Sequence, residues 1–539
     1  MKRLAFFLFL FAALPLFAQG TSAPLTGRVT SAGKPVAGAT ITVEADTLQR
    51  ARTATTNADG WYWVGALPPG TYRVTFEREG LTTLVKSVEL HLDEPGRGDA
   101  DLAPSTEGDV VTQTALTRTP LQSPQLVTSL SSAVVDPLPV DRSVGSYVAL
   151  EGFDAPASFL IRDGLASYAF IDLPGDAIAE TALVHIPVNA EYGRQFGGEI
   201  DAVTRSGGNA FSGSLRETWR SRALHFANDE AVRSEVTAGG RLIRDALWFF
   251  LAGDSVQRNA LAKLTGSPDA RQSVVAELLH GRRPYGTVLK ENEFVADYTA
   301  VVVPSFVAEA RAANSWGDYT TLRGYAFAHG HDLAFGAERL LHQDAFFVND
   351  RWLVSPRLFL NLGIRHDEPF GTSPRFGAVF DPAGDGRNRF SASYGRFGDL
   401  RFNFRTHQRR DETSVAYARQ LEANGYVRVA YLHHDVIPDV VELEGAYRFL
   451  IATFGGIAAL SRERFYTNGS AWVQVEPPLL DKKMNISLLE RYFATEAFTD
   501  LAFNYALPHD RWEPFAKFEV IDVFKRQQRG YRVGLGVRM

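Results

Sequence analysis

Three histidine-bearing stretches have the residue types and spacing that hold a metal ion. His91-Leu92-Asp93-Glu94 carries the H-x-x-E spacing with which zinc carboxypeptidases set an imidazole and a carboxylate on one ion. His329-Gly330-His331-Asp332 and His433-His434-Asp435 each place two imidazoles beside a carboxylate, a donor set suited to a divalent cation or an iron chelate. All three sit at strand ends or hairpin tips, where polar residues collect. The first runs into a Pro95-Gly96 turn, with no catalytic domain around it to supply a second histidine. Turn positions therefore account for them, and no metal ligand is assigned. A nucleophile elbow, P-loop or dinucleotide fingerprint in a strand-to-helix context is also missing from the sequence. We therefore expect no enzyme and assign neither a catalytic residue nor a cofactor.

The elements that carry these residues are strands. The chain opens with Lys2 and Arg3, an apolar run from Leu4 to Phe17 and then Ala18, the layout of a secretory signal peptide over residues 1–18. No later apolar run is long enough to cross a membrane as a helix. The absence of cysteine excludes a lipid-anchored N-terminus, a disulfide framework and thiolate metal sites. A net charge of -6 over 539 residues argues against a nucleic-acid partner. The apolar share of 45%, with 37 Phe, 18 Tyr and 8 Trp, suits strands that turn apolar residues outward and polar residues inward in a membrane barrel. Soluble sandwiches alternate in the same way, so composition leaves both open.

Residues 24–103 read as short strands separated by turns. Gly27 to Thr30, Ala39 to Val43, Trp61 to Val64 and Tyr72 to Phe76 are the strand runs; Asn57 to Gly60 and Leu67 to Gly70 are the turns. About eighty residues of this kind specify a small β-sandwich. GRVTSAGKPVAGATITV followed by TTNADGWYWVGALPPGTYRVTFEREG resembles the carboxypeptidase regulatory-like domain, a transthyretin-like module without catalytic function.

Residues 104–130, rich in Thr, Ser, Pro and Gln, read as a flexible linker. Within it Asp109, Val110, Val111, Thr112, Gln113, Thr114 and Ala115 form a β-prone run that resembles a degenerate TonB box, the extended peptide that pairs with an edge strand of TonB. Strand addition draws its affinity from main-chain hydrogen bonds, so a loose sequence suffices.

Residues 131–209 are similar to the plug domain of TonB-dependent receptors, particularly the Oar-like branch. The resemblance is carried by PASFLIRDGLASYAF and DAIAETALVHIPVNAEYGRQFGGEIDAVTRSGGNAFSGSLRE. Ile161, Asp163 and Gly164 match in a strand–turn element, and Ile178 and Glu180 in the next segment. Ala190, Tyr192, Gly193, Arg194, Gly197, Gly198, Ile200, Val203, Thr204, Arg205, Gly207 and Asn209 complete the match. Arg162, Asp163, Glu191, Arg194, Glu199 and Arg205 are expected to face a polar lumen and to pair with barrel charges in a structural role.

Residues 210–539 alternate strand after strand. Leu358, Leu360, Leu362 and Ile364 share one face, and Arg357, Asn361, Gly363 and Arg365 the other. Asp381 to Gly386 and Asn424-Gly425 are turns. The chain ends on a strand, Tyr531 to Met539, of the kind that the barrel assembly machinery reads, although Met539 stands where the family usually has an aromatic. Barrels of this family have 22 strands around a plugged lumen. At roughly 9–11 residues per strand, about 220 of the residues after 210 are consumed and about five remain per connection. A pared-down receptor with short loops is expected, its ligand contacts coming from the plug apex and lumen wall.

The fold expected is thus mainly β: a transthyretin-like sandwich, an α+β plug and an antiparallel transmembrane barrel of about 22 strands in outer-membrane lipid, the sandwich lying in the periplasm. The resemblance implies TonB-driven uptake of an unidentified small solute. A non-transporting structural or adhesion protein on the same fold is the alternative.

Overall fold

The computed structural model describes residues 23–45, 48–92, 96–105, 110–118, 123–140, 159–167, 173–193, 198–220 and 231–538. The last span is interrupted at 257, 270, 284–288, 315–317, 341–342, 369, 400–407, 422–424, 436–437, 462–467, 478–483, 494–495, 508–511 and 522–529. The expected signal peptide (1–18), Asp93, Glu94, Asp109, Arg194, Gly197, Asn424 and Met539 lie outside the described residues.

The N-terminal unit comprises β1 (Ala23–Ser31), β2 (Lys34–Pro35), β3 (Thr40–Glu44), β4 (Arg52–Thr55), β5 (Trp61–Leu67), β6 (Gly70–Glu77), β7 (Thr83–Leu90), β8 (Gly96–Arg97), β9 (Ala100–Asp101) and β10 (Val110–Arg118). One sheet runs β2-β1-β5, with β8 and β9 parallel to β1; the other runs β10-β7-β6-β3-β4. Alternation builds the core between them. Ile41, Val43, Tyr72, Val74 and Phe76 point inward and meet Leu25, Val29, Tyr62 and Leu90. Burial of each such side chain stabilises by roughly 1.5–3 kcal/mol. Asn57 makes the turn into β5 by accepting from the N–H groups of Asp59 and Trp61 at 3.0 and 2.9 Å.

Residues 110–118 differ from the flexible linker expected there. They form β10, which pairs in parallel with β7 from Val110↔Thr83 to Arg118↔Glu89. A run rich in Val and Thr beside an open sheet edge satisfies its backbone by joining that edge.

The plug is a five-stranded sheet in the order β11-β14-β15-β12-β13: β11 (Leu126–Ser131), β12 (Phe159–Arg162), β13 (Leu165–Ser167), β14 (Ile178–Ile186) and β15 (Glu199–Thr204). It begins a few residues before the expected boundary at 131. Among the described residues its helical content is one turn, Ser132–Val135, and a 3-10 turn, Gly175–Ala177. The β12–β13 hairpin closes on Asp163 and Gly164, at φ 46° and 75°. A two-residue hairpin of this hand needs positive φ at both positions, which Asp-Gly tolerates best.

From β16 (Ser212–Arg220) to β37 (Gly530–Arg538) the chain forms a closed 22-stranded antiparallel barrel. Closure is made by β37 on β16, from Ser214↔Arg538 to Trp219↔Val533. On β25 (Gln343–Ser355) and β26 (Leu358–Asp367), Phe346, Val348, Leu362 and Ile364 are 57%, 49%, 41% and 52% exposed, while Asn349, Asn361 and Arg365 are buried toward the lumen. Leu215, Leu251, Phe335, Phe376, Val429 and Leu535 continue the exposed apolar belt around the wall. Such a belt is untenable in water and natural in lipid. The longest connection between barrel strands is residues 221–230, so the expected combination of 22 strands and short loops holds.

His329 and Gly330 form the two-residue turn between β23 (Asp318–Ala328) and β24 (His331–Leu340), at φ 50° and 84°. His331 stacks on Trp352 and lies 2.8 Å from Asp350. His433 and His434 pair with Asp439 and Glu412 at 2.7 and 3.0 Å. Among the described residues no cluster of donors fits a metal ion.

Candidate functional site

Among the described residues, polar contacts hold the plug in the barrel at several places, Asp176 with Ser214 of β16 at 2.9 Å and the following four among them. The first is the Asp163 turn. Asp163 accepts from the Thr204 N–H at 3.0 Å and the Thr204 hydroxyl at 2.7 Å, which ties the β12–β13 hairpin to the end of β15. Its Oδ1 also lies 3.1 Å from Nζ of Lys263, on barrel strand β19 (Ala260–Gly266). Burial alone would raise the Asp163 carboxyl, but Lys263 and the Thr204 bonds more than offset it and hold it below the ordinary carboxylate range. Beside it, Arg162 reaches Glu293 at 2.6 Å and Glu277 at 3.5 Å on the wall.

The second place is residues 187–193, which have no strand partner. A backbone without a ladder needs other partners inside a membrane barrel. The wall supplies them. Arg365 donates through Nη1 to the carbonyls of Ala190 and Glu191 at 3.3 and 3.2 Å. Arg375 donates to those of Pro187 and Asn189 at 2.7 and 3.3 Å, and Asn361 to that of Val188 at 3.4 Å. The Ala190 N–H donates to Asn349 Oδ1 at 2.9 Å. Glu191 pairs with Arg323 at 3.2 Å. Gly193 is required here because a Cβ would stand 2.1 Å from Arg365 Nε.

The third is the edge strand β11. Arg428, on β30 (Gly425–His434), donates to Val127 O at 2.9 Å and to the Thr128 hydroxyl at 3.1 Å, while pairing with Glu442 at 2.8 Å and Glu444 at 2.5 Å. His185 of β14 lies 3.0 Å from Glu442, and its burial lowers the imidazole pKa. The fourth is the segment after β11, where Lys517 donates to the Asp136 carbonyl at 3.1 Å and Arg538 pairs with the Asp136 side chain at 2.8 Å.

The sandwich is seated on one end of this assembly. Glu180 Oε1 accepts from the Leu92 N–H at 2.8 Å, and His91 lies 3.5 Å from the same oxygen, so these two residues make a contact between sandwich and plug. Trp63 stacks on Phe327 of the barrel with centroids 6.5 Å apart, and Gln49 donates to Gly207 O at 3.2 Å.

Of the residues singled out in the sequence, Asp163, Gly164, Glu180, Gly193, Thr204 and Gly207 thus lie at contacts between plug, wall and sandwich. Tyr192 is buried among them. Gly198 adopts φ 96°, a backbone that L side chains rarely take. Arg205, expected to face the lumen, is exposed and donates through Nε to Ile178 O at 3.4 Å. Sequence reading missed the wall partners Lys263, Arg323, Arg375 and Arg428. Their signal was available, since each is a cation on the inward face of an alternating strand. Chemically this is a water-compatible seat: hydrogen bonds and ion pairs whose groups water can also satisfy.

The carboxypeptidase regulatory-like domain family matches residues 24–103. The TonB-dependent transporter Oar of Myxococcus xanthus is 27% identical over 283 residues, 43% of this chain and 26% of that protein. The match therefore spans about a quarter of that relative. The siderophore receptor PirA from Pseudomonas aeruginosa superposes with TM-score 0.61 at 13% identity, over 77% of this chain and 98% of that one. The ferripyoverdine receptor of the P. aeruginosa outer membrane, bound to ferripyoverdine, gives TM-score 0.60 at 12% identity over 82% and 91%. With the closed, lipid-facing barrel and the plug inside it, these likenesses agree on one architecture. The chain has the plug-and-barrel fold of the TonB-dependent outer-membrane receptors, with a carboxypeptidase regulatory-like domain ahead of its plug.

Proposed function

We propose that the protein imports a small solute across the outer membrane with energy delivered by TonB, which pairs with residues 109–115 in the periplasm. The outer membrane holds no energy source of its own, so uphill transport needs a partner that pulls from inside. The observation that carries this reading is connectivity. The proposed box leads directly into β11, the edge strand of the plug sheet, so tension on the box arrives where the sheet peels most easily. With its short connections, the protein would hold solute at the plug apex and inner wall, and would be made in the membrane by the barrel assembly machinery. The solved relatives include receptors for siderophores, which makes an iron chelate the first solute class to test.

The test is deletion of residues 109–115 at matched surface level. Uptake of radio-iron chelates, and growth under iron or carbon limitation, are compared with the intact protein. Loss of energy-dependent uptake supports the importer. An unchanged phenotype favours a non-transporting structural or adhesion role, to which the short loops also lend support.

A further inference from the structure

β10 is the outermost strand of its sheet and joins it through β7 alone. Six register pairs hold it: Val110↔Thr83, Val111↔Leu84, Thr112↔Val85, Gln113↔Lys86, Thr117↔Val88 and Arg118↔Glu89, with a register shift between Gln113 and Thr117. Val110 to Gln113 also belong to the segment proposed above to pair with TonB. From this coincidence we propose that the N-terminal sandwich is a clasp for the TonB box: β7 and the edge strand of TonB compete for residues 110–118, and energy reaches the plug only after the clasp opens. This rests on the importer reading.

Three features carry it. Strand pairing is a main-chain interaction, so whatever occupies the segment as a strand partner withholds those amides and carbonyls from another. The pairing is also built to open, because parallel ladders are the less stable kind and the register shift divides this one in two. Finally, the clasp is anchored. The sandwich rests on the barrel through Trp63 on Phe327 and on the plug through Leu92 on Glu180. While 110–118 stays on β7, a pull on it is shared with the barrel rim through those contacts. Once released, the segment passes the pull to β11 alone.

The chain has no cysteine, so an introduced pair reports without background. Lys86→Cys with Gln113→Cys, and independently Glu89→Cys with Arg118→Cys, place thiols on register neighbours of β7 and β10. Full-length protein is oxidised in outer-membrane fractions, and barrel assembly is verified by heat-modifiable migration. Binding of the purified C-terminal domain of TonB is then measured before and after reduction. Both pairs are expected to cross-link, and locking is expected to weaken binding at least about tenfold, because the competent open state is withdrawn. Reduction should restore it. Equal binding by locked and reduced protein overturns the clasp, since TonB then adds to the free outer edge of β10. Failure to cross-link while both thiols react with maleimide overturns it as well. Efficient cross-linking with no binding in either state or in the parent protein instead removes the TonB box, and the clasp with it.

Discussion

Lys263 of the barrel wall stands 3.1 Å from Asp163 of the plug hairpin, with both side chains shielded from solvent. Lys263 also lies 3.5 Å from Glu277, so removing it takes a cation from two buried carboxylates, and breaking a buried pair costs about 3–5 kcal/mol. Lys263→Met is therefore expected to loosen the plug strongly, whereas Lys263→Met combined with Asp163→Asn costs less than the sum of the two changes. Asn keeps the positive-φ turn but can accept only one of the two Thr204 bonds, and the double change corrects for that loss. Urea-dependent cleavage of the plug by trypsin, in protein whose barrel stays closed, measures all three.

Acid should act at the same place. The Asp163 carboxyl is held below its usual range, so its contribution is complete above the unfolded value near 3.8 and is lost as pH falls below that. The Asp163 share of plug retention in detergent is expected to be flat from neutral pH to about 4 and to decline beneath it, on top of the loss below about 6.5 that buried His185 brings with its lowered pKa. In Asp163→Asn this part of the decline disappears. A profile identical to that of the parent would exclude Asp163 as the titrating group.

Gly193→Ala introduces a methyl group where Arg365 Nε lies 2.1 Å from the built Cβ. The guanidinium must give way, yet it also serves the Ala190 and Glu191 carbonyls, Asp367 and Glu338. A plug destabilised by about 1–3 kcal/mol is expected, since buried carbonyls lose their donor. Conductance across planar bilayers should rise over the parent as the lumen opens intermittently. Unaltered conductance together with unaltered urea sensitivity would refute the steric argument.

Trp63→Ala tests the seat of the sandwich. Loss of the ring on Phe327 removes roughly 0.5–1.5 kcal/mol of aromatic pairing beyond the area it buries. Protease should cut between sandwich and plug faster, while heat-modifiable migration of the barrel is unchanged. Glu180→Ala, which takes the acceptor from Leu92 N–H, is expected to add to the effect.

Much of this fold was legible because period-two alternation determines a wall. The faces read on Leu358 to Arg365 reappear as lipid-facing Leu362 and Ile364 and lumen-facing Asn361 and Arg365. The Asp163-Gly164 turn was visible as a dipeptide whose backbone preference is local. The contacts between distant residues were not visible. Nothing near Lys263 in the chain announces Asp163, a hundred positions earlier, and nothing in Val110 to Arg118 names β7 as its partner. Such choices are made by tertiary proximity. Arg205 is likewise tied by contacts that its own stretch does not announce, its backbone N–H to Ala177 O and its Nε to Ile178 O.

Between Arg118, where β10 ends, and Leu126, where β11 begins, lie eight peptide steps, about 26–29 Å at full stretch. That is a short leash. An inner-membrane motor that carries Arg118 farther than this from Leu126 must drag the first plug strand along, so slack runs out early in the stroke and longer travel becomes unravelling of the plug.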